Sequence, residues 1–361
     1  MSKIKPIKIA ILSCNHGHGK AYYELQDDPM FDLVGVSVEP GYRTKVALER
    51  IPNVPKYDSD EELYQNHPDI EAVIIASANK KHIEQVRVAA EKGLHIFSMK
   101  IPTFDRAEYD EMIELVEKAG VVCQVELEMR YAAELRRVKE LIEEGAIGKP
   151  LSISMINYSH NPIWWRPWQC SPEESYGRRV CLREGDGRYR GGALADHPHI
   201  FDAVRYITGS EFDTVFAEVS PNIRDVETED MIHLIGTLKN GMIYSLDPSY
   251  ANDEYKVPTQ VDWMKYPRPV EVMMNVVGTE GTIIADLYGK TAFAQKGTRG
   301  DYATASDTHI PLWNRMMNEF YHCIRNGKTP NVHLRNHRHS IDVMNAAYES
   351  VAQGKMVRLE E

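Results

Sequence analysis

No two cysteines in this chain of 361 residues are spaced as Cys-x-x-Cys. The five present, Cys14, Cys123, Cys170, Cys181 and Cys323, are scattered and odd in number. That pattern argues against a disulfide framework and a thiolate zinc site, and it suits a reducing compartment. Positive charge is in deficit. Lys and Arg number 42 against 53 Asp and Glu, a net charge of −11, which leaves no footprint for nucleic acid or an anionic membrane surface. Long apolar runs are missing as well. The basic stretch Met1–Lys8 leads only into Ile9–Leu12, too short for a signal-peptide core or a membrane span, so a cytoplasmic location is expected. What remains, 43% hydrophobic and 26% charged, is an ordinary globular composition. The length predicts two domains, placed here at 1–128 and 129–361.

The first of these alternates strand and helix patterns. Short apolar runs at Ile7–Leu12, Phe31–Val38, Ala72–Ala76 and Leu94–Phe97 read as buried parallel strands. Helical patterns fall at Lys20–Gln26, Arg43–Arg50, Asp60–Gln65, Lys81–Lys92 and Arg106–Ala119, with Gly93 and Gly120 where C-caps need them. Repeated βαβ units with right-handed crossovers give a Rossmann-type doubly wound parallel sheet.

Another absence sits at the end of the first strand. A strand–turn–helix there is where dinucleotides bind, yet Gly-x-Gly-x-x-Gly is missing. Ser13, Asn15 and His18 occupy the glycine positions, with His16 and Gly17 between them. Asn tolerates left-handed backbone and Ser is small, so a tight phosphate-binding turn is still open to this loop. Glu39 closes the second strand, where a carboxylate accepts hydrogen bonds from the adenosine ribose and repels a 2′-phosphate, which favours NAD over NADP. The competing reading of Glu39 is a solvated strand end.

The stretch around which the rest is organised is Gly191-Gly192-Ala193-Leu194-Ala195-Asp196-His197-Pro198-His199, running on through Asp202 into an apolar helix stopped by Gly209. A carboxylate and imidazoles at such a helix start handle protons near neutral pH. The plainer reading is a polar helix cap. Upstream, Leu151–Tyr158 alternates as an antiparallel strand, and 212–219, 231–238, 242–249, 270–277 and 281–286 continue the pattern, so the second domain is expected to be a mostly antiparallel open sheet with helices. The helical segments Pro311–Asn326 and Asn336–Gly354 are expected to pack back on the first domain. His333, His337 and His339 lie on the basic segment between and within them and follow no known ligand spacing. From Asn157 to Arg190 runs a long loop holding His160, Trp164, Trp165 and Trp168. Its indoles with a few polar groups suit the apolar faces of a sugar, or alternatively a hydrophobic plug or subunit contact.

Five stretches resemble the Gfo/Idh/MocA (glucose–fructose oxidoreductase / inositol dehydrogenase) family. Ala72–His82 is similar to a strand followed by Pro-Asn-x-x-His, with Ala78 in place of proline. Gly93–Pro102 is similar to a strand ending in Glu-Lys-Pro, with Met99 and Ile101 departing from it. Arg130-Tyr131 through Pro150 resembles the crossing into the second domain, Gly191–Asp202 the Gly-Gly…Asp…His…Asp segment, and Gly278–Thr282 a late sheet turn. The Asp-to-His interval is one residue short: Asp196 fits when counted from the glycines, His199 when counted from Asp202. The resemblance implies NAD as cofactor, with Ser77, Asn79, His82 and Lys100 joining the cofactor loop. It also implies that Lys100 hydrogen-bonds the reacting hydroxyl, that the histidine is general base, and that the second sheet forms a homo-oligomer face. Loss of a hydride from a carbinol carbon requires a base for the hydroxyl proton and a cation for the alkoxide, so the roles are chemically coherent.

Three functions follow. The first is an NAD-dependent oxidoreductase acting on a secondary hydroxyl of a sugar, cyclitol or glycoside, with Lys100, Asp196 and His199 catalytic and His160, Trp164, Trp165 and His197 near the substrate. The second is a metal-dependent lyase or isomerase with Asp196, His197 and His199 as ligands, His160 being an optional fourth. The third is a non-catalytic ligand-binding descendant, motivated by the altered glycine loop and Met99.

Overall fold

The computed structural model describes residues 5–39, 49–160, 170–252, 270–289, 291–296, 299–301 and 312–360. Two compact units emerge, Met1–Glu126 with Trp313–Arg338, and Leu127–Leu312 with His339–Glu361.

In the first unit six parallel strands, β1 (Ile7–Leu12), β2 (Phe31–Ser37), β3 (Lys56–Tyr57), β4 (Ala72–Ile75), β5 (His95–Ser98) and β6 (Cys123–Val125), lie in the order 3-2-1-4-5-6. That is the doubly wound dinucleotide-binding order, whose chain reversal falls between β1 and β4. The apolar runs form strands because both sheet faces are covered: nearly every residue of β1 and every residue of β4 is buried. Helices α1 (Asp60–Asn66), α2 (His82–Glu91) and α3 (Arg106–Ala119) provide crossovers. Ser59 and Asp105 cap α1 and α3 through backbone N–H groups, and Gly120, at φ +65°, ends α3. The expected helix at Lys20–Gln26 is instead a longer 3-10 helix, Gly17–Asp27, which starts earlier because His16 caps it by accepting the His18 N–H. The helix expected at Arg43–Arg50 lies almost wholly outside the described residues. The strands β3 and β6, of two and three residues, are too short to show a period.

The second unit begins with a 3-10 turn, Glu128–Tyr131, and α4 (Ala133–Glu143). Its strands are β7 (Pro150–His160), β8 (Phe212–Val219), β9 (Ile232–Leu238), β10 (Ile243–Asn252), β11 (Val270–Gly278), β12 (Gly281–Asp286), β13 (Thr291–Lys296), β14 (Arg299–Asp301) and β15 (Val357–Arg358). They are ordered 14-13-12-11-7-10-9-8-15. Pairings are antiparallel except β7 with β10. Between β7 and β8 lie α5 (Pro172–Tyr176), the single turn α6 (Ala193–Asp196) and α7 (His199–Thr208), so the long loop carries a short helix and a bridge between Cys181 and Tyr189. Helices α8 (Leu312–Asn326) and α9 (Leu334–Gln353) precede β15; Trp313–Arg338 belongs to the first unit, whereas most of the segment Asn336–Gly354, expected on the first domain, belongs to the second. No described helix is long and apolar enough to cross a membrane.

Candidate functional site

At the C-terminal edge of the parallel sheet, β1 runs into Ser13, which adopts φ +67°. A glycine would normally hold that left-handed position. Here the Ser13 amide donates to Ser37 Oγ (3.0 Å) and its own Oγ accepts from the Asn15 N–H (3.2 Å), offsetting a strain of about 1–2 kcal/mol. Tight turning therefore persists without the glycine pattern. Asn15 Nδ2 in turn donates to Glu39 Oε2 at 2.9 Å, and Lys81 Nζ stands 2.9 Å from Glu39 Oε1. The strand-end carboxylate is thus tied to the turn rather than simply solvated. His16 is buried, and Gly17 opens the 3-10 helix. His18 Nδ1 meets the fully buried Glu126 at 2.8 Å, and its ring stacks edge-on against Trp313 at 5.0 Å.

The next two strand ends hold Ser77, Asn79, His82 and Lys100. Ser77 Oγ donates to Gln85 Oε1 at 2.6 Å. Asn79 is buried with Oδ1 unpartnered among the described residues. His82 is placed differently from the cofactor contact expected of it: both ring nitrogens face backbone carbonyls, Nδ1 that of Pro102 (3.1 Å) and Nε2 that of Ser77 (3.2 Å). Burial pushes its pKa down to about 4, against the pull of those carbonyls. It pins the turn after β4 to the turn after β5. Lys100, in that second turn, is 2% exposed, which a lysine tolerates only when paired or functional, and its peptide to Ile101 is cis.

In the second unit Asp196 ends α6 and His199 begins α7, so the carboxylate and the imidazole sit in two successive helical pieces. Asp196, His197 and His199 are all buried. The reason for the two glycines is now visible. Gly192 packs against Glu229 so closely that a Cβ would lie 1.8 Å from the Glu229 carbonyl oxygen. Glu229 Oε1 accepts from the Gly192 N–H (3.0 Å), the Leu194 N–H (3.2 Å) and the Tyr348 hydroxyl (2.8 Å), while its carbonyl takes the Ala193 N–H (2.9 Å). Gly191, at φ +112°, instead packs on Ser175 and donates its N–H to the Tyr348 hydroxyl (2.9 Å), so the two glycines meet different partners, and the Glu229 carboxylate orients the turn carrying Asp196. Burial pushes the Glu229 pKa up to about 7, overcoming those hydrogen bonds.

His199 Nε2 stands 3.4 Å from Glu128 Oε2, an ion-pair distance between two buried groups. On the same 3-10 turn, Arg130 forms a bidentate pair with Asp202 (2.6 and 2.7 Å), so α7 is held at two points by one short segment. His197 Nε2 lies 3.2 Å from Ser159 Oγ, and its ring meets Tyr250 edge-on at 5.6 Å. Asp196, His197 and His199 do not bring ligand atoms together. Among the described residues the group that does so is His16, His18 and Glu126. His337 is buried with its ring beside that of Tyr109, a packing position. His160 closes β7, and Trp164 and Trp165 lie outside the described residues. Glu126, Glu128, Glu229 and Tyr348 carry no motif that would single them out in the sequence.

Residues 8–127 match the oxidoreductase family with an NAD-binding Rossmann fold, and residues 135–284 match the GFO/IDH/MocA C-terminal domain. The chain is 25% identical to a myo-inositol 2-dehydrogenase of Thermotoga maritima, over 88% of each chain. It is 27% identical to an NAD(+) scyllo-inositol 2-dehydrogenase of Bacillus subtilis, over 85% of this chain and 83% of the relative. Its fold is that of an Agrobacterium radiobacter oxidoreductase solved with NAD+, L-tartaric acid and magnesium (TM-score 0.80, 18% identity, 98% of each chain). With both units matched in order, and the 3-2-1-4-5-6 sheet beneath the first, the chain belongs to the Gfo/Idh/MocA family of oxidoreductases, its first unit the family's NAD-binding domain.

Proposed function

We propose that the protein is an NAD-dependent dehydrogenase that moves a hydride between the nicotinamide and a secondary carbinol carbon of a sugar, cyclitol or glycoside. In the oxidative direction the substrate loses the hydride to NAD+ and its hydroxyl proton to a base, leaving a ketone. His199 is the proton acceptor, its ring oriented by Glu128. Asp196, held by the Glu229 clamp, binds substrate hydroxyls, and Lys100 stabilises the developing alkoxide. His197, His160, Trp164 and Trp165 are assigned to the substrate. Ser13, Asn15, His16, Gly17, His18, Glu39, Ser77 and Asn79 are assigned to the cofactor, and His82 supports them by holding two turns together. The observation that carries this reading is a buried His–Glu pair beside a buried carboxylate, in a chain whose other unit is an NAD domain. The names of the two inositol dehydrogenases supply the substrate class.

A cytoplasmic location and a homo-oligomer are also part of the proposal. Register puts Ile235, Ile243, Met273 and Val277 on one face of the second sheet, and all four are exposed, an apolar surface that a second copy would cover.

The test is a panel of inositols, pyranoses and glycosides followed by nicotinamide absorbance. Turnover is expected with at least one. His199→Asn and Lys100→Met should each lower kcat by about 100-fold or more while NADH affinity changes little. Variants as active as the parent would remove the assigned roles.

A further inference from the structure

We propose that His16, His18 and Glu126 form a binding site for a divalent transition-metal ion of the zinc class. One ligand atom of each lies within 4.8 Å of the others. Tetrahedral bonds of about 2.1 Å set donors roughly 3.4 Å apart, a spacing that small side-chain rotations reach from here. The geometry is built from two directions. His-x-His places two imidazoles on one turn after β1, and β6 delivers a fully buried carboxylate to the same point. Two imidazoles and one carboxylate are the donor set of open zinc sites, with a fourth position for water or an anionic oxygen such as a cofactor phosphate, so the two histidines assigned to the cofactor would meet it through the ion.

The proton bookkeeping is consistent with loading. His18 Nδ1 and Glu126 Oε1 now share one proton at 2.8 Å, and an ion entering between them releases it. His16 accepts the His18 N–H at Nδ1 over 3.2 Å, so that nitrogen holds the lone pair and Nε2 holds the proton. Coordination through Nδ1 exchanges a long hydrogen bond for a metal bond without a change of tautomer. Trp313, edge-on to His18, walls one side of the ring. A purely structural His18–Glu126 pair would need no second imidazole.

The experiment is a Co2+ titration of the full, untagged chain. The wild type should bind one equivalent with visible ligand-field bands, and the X-ray absorption edge should report two imidazoles and an oxygen ligand. Zn2+ should displace Co2+ stoichiometrically. His18→Asn and Glu126→Gln should each abolish the bands, whereas His95→Asn, a half-buried histidine of the same unit outside the group, should keep them. Absence of bands, fewer than two imidazoles at the edge, or bands that survive in both variants would each overturn the assignment. The edge measurement on the wild type decides the matter even where a variant fails to fold.

Discussion

Single residues carry opposing pH responses. Glu229 has a folded pKa of about 7 against an ordinary value of 4.5, so the folded state binds more protons than the unfolded chain between those limits. Stability from this group is full below pH ~4.5 and is lost as pH rises through 7, by roughly 3 kcal/mol for a shift of this size. His82 is the reverse: its pKa falls from 6.5 to about 4, so its contribution is present above 6.5 and lost as pH falls toward 4. Glu229→Gln should therefore leave stability rising with pH between 4.5 and 6.5 in denaturant titrations, the slope that His82 imposes. An unchanged profile would show that Glu229 is already ionised in the fold. Ser13 offers a simpler case. Because its φ of +67° is left-handed, Ser13→Gly should stabilise by about 1 kcal/mol, unless the lost Oγ contact to Asn15 outweighs the relieved strain, which the thermal midpoint reports. The pH roles of Glu229 and His82 were not legible beforehand, whereas a tight turn at Ser13 was open on the sequence. The glycine pattern announced a missing motif, but only the backbone angle at Ser13 showed that the turn is kept without it.

Among elements, the decisive fact is how α6 and α7 are held. Arg130 and Asp202 are both nearly buried and bidentate, so Asp202→Asn strands a guanidinium and should cost about 3–5 kcal/mol, whereas exposed pairs such as Arg335–Glu117 should cost less than about 1. Gly192→Ala drives a methyl into backbone and should abolish folding of the second unit. Gly145→Ala, with φ +72° but open space around it, should cost only about 1 kcal/mol by the same chemical denaturation. Elements were the most readable level of the chain. Strands β1, β4 and β5 follow from short apolar runs closed by polar turns, and Gly209 at φ +60° ends α7 where a stop was expected. Contacts between distant segments were not readable: Glu128 reaches His199, and Glu229 reaches Gly192, across stretches whose local pattern says nothing of the partner. Both were invisible for that reason, although Asp196 and His199 themselves stood out.

At the scale of the molecule, two matched domains define an oxidoreductase whose dinucleotide turn is built from serine, asparagine and histidine in place of glycine. Glu39 and its ties to Asn15 and Lys81 close that turn. The ribose-binding role proposed for Glu39 predicts NADH bound more tightly than NADPH, with the preference narrowed in Glu39→Ala. The measurement that bears most directly on the whole account is nicotinamide binding by the untagged wild type: release of any held nucleotide by denaturation, then fluorescence titration of the refilled protein with NADH. Stoichiometric NAD(H), or saturable one-to-one binding in the micromolar range or tighter, is the predicted result. The absence of both retained nicotinamide and saturable NADH binding would contradict hydride transfer as the function of this chain.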